Sequence, residues 1–136
     1  MAANNTPVFP LTPVIPVGNT LVTANTAKDG TGTVATIYTA GANGSKLNGV
    51  QIAYTGTSVA TVLRLFINNG STNATAGNNS LYMSITVPAN TLSEVAAAND
   101  IFQALSLTLP AGYKLLATIG TTVAAALAVT ASGGDL

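Results

Sequence analysis

Apolar and polar residues alternate with a period of two through most of this chain. Val50, Ile52 and Tyr54 share one face of a segment running from Leu47 to Tyr54, with Gln51 and Ala53 on the other. Leu63, Leu65 and Ile67 do the same from Val59 to Ile67, against Arg64 and Phe66. Leu81, Met83, Ile85 and Val87 alternate with Tyr82, Ser84 and Thr86, and Pro88 ends that run. Leu105, Leu107 and Leu109 follow within Ile101–Leu109. Tyr113, Leu115, Ala117 and Ile119 come next, across the turn Pro110-Ala111-Gly112. This is the signature of half-buried strands.

Three weaker segments complete the set. Asn19 to Ala27 reads as a first strand and Thr33 to Thr39 as a second, joined by the Asp-Gly turn in Lys28–Gly32. The alanine-rich run from Val123 has helical propensity, but the threonines flanking it favour a last strand, Val123–Thr130, with Asp135 and Leu136 in a glycine-bearing tail. No helix of the length needed for parallel crossovers separates the strands. The expectation is an all-β chain: a sandwich or barrel of about eight antiparallel strands.

Two segments break the alternation. Residues 1–17 carry a proline at every third position from Pro7 to Pro16, with Val8, Phe9, Leu11, Val14, Ile15 and Val17 between. Proline donates no backbone hydrogen bond and cannot sit in a central strand. These residues are expected to form an extended arm outside a single domain of residues 18–136, its apolar side chains lying along its own domain or on a neighbour. Gly70 to Ser80 is polar and repetitive, and reads as a long loop, either mobile or ordered only by a partner. Thr91–Ala98 fits either one helical turn, opened by Thr91 and Glu94, or a short edge strand.

Charge changes the picture most. Lys, Arg, Asp and Glu make up 6% of the 136 residues and cancel to zero, against about 25% in ordinary globular proteins. The small, neutral residues opposite the core (Ala53, Ser84, Thr86, Ala104, Ser106, Thr108, Thr118, Ala124 and Ala126) lack the charge that usually blunts sheet association. Much of the surface is thus expected to be covered by partners. Nucleic acid is not among them, since four cations cannot neutralise a row of phosphates. Nor is a membrane: no apolar run approaches a spanning length, and no signal peptide is read at the start.

Candidate chemistry is sparse. With no His and no Cys, the Ser-His and Cys-His arrangements are ruled out, and zinc lacks its preferred ligands. Glu94 and Asp100 are the one pair of carboxylates in a single region and read as loop residues; Asp29 fits a turn better than a calcium loop. The chain is expected to be no enzyme and to need no cofactor. Arg64 is the single charge inside a strong strand. Together with Phe66 it marks a candidate interaction face, with Arg64 either paired with a carboxylate in its own sheet or on another subunit, or simply a solvated strand residue.

Two stretches carry a resemblance: AKDGTGTVATIYTAGANGSKLNGVQIAYTGTSVATVLRLFINNG (Ala27–Gly70) and LPAGYKLLATIG (Leu109–Gly120). They resemble the small virion proteins of tailed bacteriophages known as head decoration or capsid cement proteins. The resemblance spans roughly half the chain and excludes the proline-rich arm and the 70–80 loop. It implies a β-sandwich or jelly-roll-like fold, a homotrimer, the major capsid protein as partner, and a place on the outer surface of the virion after synthesis in the host cytoplasm. Alternatives are a phage fibre or adhesin module that binds glycans, with Tyr38, Tyr54, Tyr82 and Tyr113 as its candidate rings, and a structural protein of the tail or head–tail connector.

Overall fold

A computed structural model describes residues 9–136. Its strands are β1 (Thr12–Val14), β2 (Thr20–Leu21), β3 (Ala35–Thr39), β4 (Ser45–Tyr54), β5 (Thr61–Asn68), β6 (Asn79–Val87), β7 (Ile101–Leu109), β8 (Lys114–Ile119) and β9 (Leu127–Asp135). One short 3-10 turn, Ala76–Asn78, precedes β6.

Every pairing is antiparallel. One sheet runs β1-β9-β4-β7, with β2 also on β9; the other runs β3-β8-β5-β6. The pairs β2–β9, β3–β8, β4–β7 and β5–β6 nest inside one another, as if one long hairpin had been rolled up. Contacts β9–β4 and β8–β5 then complete the two sheets. That is the strand order of a jelly roll. The alternation explains the core: Leu47, Val50 and Ile52 from one sheet meet Leu63, Leu65, Leu115 and Ile119 from the other, all fully buried.

Five expectations need correction. Asp29-Gly30 does not close a hairpin. Thr31 donates both its N–H (3.1 Å) and its hydroxyl (2.6 Å) to the Asp29 carboxylate, a local turn. The strands on either side go to different sheets, because β2 has its partner in β9 and β3 in β8. The first strand shrinks to Thr20–Leu21, after which the chain crosses to the second sheet and the Asn25 N–H meets the Ile119 carbonyl at 2.7 Å.

The last strand starts at Leu127 and takes in the glycines and Asp135 that read as a tail. Gly134 makes this possible: a Cβ there would stand 2.5 Å from the Pro10 Cβ, so only glycine lets β1 lie alongside. Thr91–Ala98 forms neither a helix nor a strand.

The loop after β5 is held by its own domain rather than waiting for a partner. Asn73 donates its side-chain amide to the carbonyls of Gly30 (3.1 Å) and Gly32 (2.8 Å). Asn79 donates to the carbonyls of Asp29 (3.1 Å) and Asn73 (2.9 Å), and accepts from Asn68 at 2.7 Å. Asparagine serves here because one amide both donates and accepts.

Candidate interaction surface

The arm is partly strand. Thr12–Val14 pairs with Gly133–Asp135 at the edge of the first sheet, and the Leu11 N–H donates to the Asp135 carbonyl at 2.7 Å. An edge is where proline is tolerated, and Pro13 sits within this strand. Val14 turns inward onto the core. Phe9, Leu11, Ile15 and Val17 do not: they are 68, 81, 59 and 84% exposed. Val8 lies outside the described residues. Backbone pairing thus fixes the middle of a strip whose apolar side chains face away from the domain.

Asp135 anchors the strand that carries this strip. Its carboxylate accepts from the buried Ser45 hydroxyl and from the Tyr38 hydroxyl, so it ties β9 and β4 of one sheet to β3 of the other. Burial pushes the Tyr38 hydroxyl above its ordinary value of 10.0, and the Asp135 charge adds to that. Tyr54 is raised for the same first reason, with the Asp100 charge second; its hydroxyl donates to the Pro88 carbonyl at 2.7 Å.

The outer face of the second sheet separates Arg64 from Phe66. Phe66 is completely buried, as is its cross-strand neighbour Leu116 apart from 2% of its surface. Leu116 lines a small cleft with Val34 and with Ser71, Thr72 and Asn73 of the stitched loop. Phe66 is therefore structural and offers no surface to a partner. Alternation alone could not show this, because what covers that face comes from remote loops.

Arg64 is half-buried beside an open groove of about 360 Å³, lined also by Thr61, Val62, Thr86, Gly120 and Thr121. Its Nη1 is buried and has no hydrogen-bond partner; neither has the buried hydroxyl of Thr118 across the strand pair. Nη1 packs so closely on Gly120 that a Cβ there would come within 3.1 Å. The pairing inside the sheet expected for Arg64 is thus not made among the described residues. The groove's rim is set by Thr61, which accepts from the Thr121 N–H at 3.0 Å, and by the Gly120 N–H on the Val62 carbonyl at 3.0 Å. No sequence signal marks Thr61, Gly120 and Thr121 as one site; β5–β8 pairing brings them together.

Among the described residues no group of three or more His, Cys, Asp or Glu side chains is placed to hold a metal. Of the four tyrosines, Tyr38 and Tyr54 are buried, Tyr113 packs on the core and Tyr82 alone is exposed. No helix among the described residues is long and apolar enough to cross a membrane. Compared with known proteins, the chain matches no family model, no curated protein and no solved structure.

Proposed function

We propose that this protein is a structural virion component that docks on the outer surface of a phage capsid and stabilises it, a decoration or cement protein without catalytic activity. The observation that carries this reading is the arm: four apolar side chains stand exposed on either side of a short strand fixed at a sheet edge. Exposed apolar surface of this kind marks an interaction site. Pre-fixing the backbone lowers the entropy cost of docking, and an edge strand can add backbone hydrogen bonds to a neighbour. The near-absence of charge fits a surface meant to be covered. The resemblance of Ala27–Gly70 and Leu109–Gly120 to decoration proteins supplies the kind of partner. A subunit that binds only the assembled lattice stabilises it by mass action.

The test is the copy number of this chain relative to the major capsid protein in purified particles, with wild type and a Leu11→Ser/Val17→Ser variant. Decoration predicts a simple lattice fraction for wild type and depleted particles for the variant, while the free variant stays folded. A handful of copies per particle, or none, overturns it.

A further inference from the structure

The unpaired guanidinium of Arg64 has a complement elsewhere on the chain. Three of the four carboxylates are engaged: Asp29 by Thr31, Asp100 by the Tyr54 N–H at 3.2 Å, and Asp135 by Ser45 and Tyr38. Glu94 is the exception among the described residues. It lies on the segment 91–97, exposed at every position, between Leu92 and a Val95 that is 97% exposed. The base of this segment is fixed. Ser58 and Asn90 exchange backbone hydrogen bonds at 2.8 and 2.9 Å, and the Leu92 N–H donates to the Thr57 hydroxyl at 3.3 Å.

We propose that the 91–97 loop docks into the Arg64 groove of a second copy, Glu94 pairing with that copy's Arg64 and the flanking Leu92 and Val95 covering Val62 and the threonine methyls. Arginine and carboxylate form a two-point hydrogen-bonded pair. Nη1 is buried in the single chain, so the pair would use the guanidinium nitrogens on the groove side, where Arg64 lines the cleft.

Placement favours a ring. Thr61 pairs with Val87 and Leu63 with Ile119, so the groove and the start of the 88–100 connection lie at one end of the sandwich. Loop and groove are different patches, which makes the contact head-to-tail. Such contacts close into rings when the rotation allows, and patches at one end can meet around an axis passing that end. The proposal needs only copies of this chain and stands apart from the capsid reading.

Sedimentation equilibrium of the purified full chain over a concentration series tests it. Wild type is expected to form a closed oligomer of a few copies, weakened by salt. Glu94→Arg and Arg64→Glu should each reduce association more than about tenfold, since each places like charges together. The double exchange should restore it. A chain that stays monomeric at every concentration overturns the proposal, and so does association unchanged in Glu94→Arg. Failure of the double exchange to restore association overturns it too, provided circular dichroism shows the variant folded. If Arg64→Glu does not fold, Glu94→Arg and Glu94→Gln on the exposed loop decide alone.

Discussion

The side-chain amide of Asn73 reaches the carbonyl of Gly32 at 2.8 Å, across 41 residues of sequence. With the second bond to Gly30 it joins two polar loops on one side of the second sheet. Asn73→Ala should destabilise the protein by about 1–3 kcal/mol, because two backbone carbonyls lose their donor. Hydrogen exchange should quicken in residues 25–33 and 70–79 while β4 and β5 stay protected. Equal protection in wild type and variant would show that the loops are held some other way.

Phe66 and Arg64 share a face and should part company on mutation. Phe66→Ala removes a fully buried ring and should cost about 3–5 kcal/mol, read as a lower denaturation midpoint. Arg64→Gln should change stability far less and act on association. A Phe66 variant of wild-type stability that loses only partner binding would restore Phe66 to the interaction surface.

Gly134→Val should pry β1 from β9, since its side chain would enter the space of Pro10 and the Thr12 carbonyl. The Leu11 amide should then lose protection from exchange, and susceptibility to proteolysis should rise between residues 9 and 18. The remainder of the sandwich should keep its circular dichroism spectrum.

Alkaline pH should weaken the fold. Tyr38 and Tyr54 are both raised above 10.0 in the folded state, so the native protein holds these protons more tightly than the unfolded chain. The stability they contribute is complete below pH 10 and is lost as pH rises through the raised values. Tyr38→Phe should flatten the dependence of unfolding free energy on pH above 10. Asp29 is lowered, chiefly by the Thr31 hydroxyl, so its small contribution is present above pH 3.8 and fades as the pH falls further.

The sheets were legible in the sequence where burial is one-sided. Leu63, Leu65 and Ile67 alternate with polar or outward residues, and the structure places all three on the core. Leu116 and Thr118 sit at positions that alternation assigns outward, yet they are buried, because remote segments cover them. Asp-Gly gave the local turn correctly and the hairpin wrongly: turn chemistry is local, whereas β2 and β3 choose partners 75 to 108 residues away. Asp135 resembled a tail residue because its partners, Tyr38 and Ser45, are 97 and 90 positions distant. Arg64 stood out as a lone charge in a strand. The threonines and glycine around it became a site only through strand pairing.

The nested strand order also sets when the protein can fold. β9, the last of these strands to leave the ribosome, lies inside the first sheet, between β4 and the pair β1 and β2. Until it emerges, that sheet lacks its middle, and β1 and β2 have nothing to pair with. The β5–β6 ribbon can form early, since its strands are neighbours in sequence. The other nested pairs must close progressively longer loops, which slows folding. A nascent chain therefore carries the exposed apolar strip of its arm, unanchored, until β9 emerges, and removing residues 127–136 would leave only the β4–β7 pair of the first sheet.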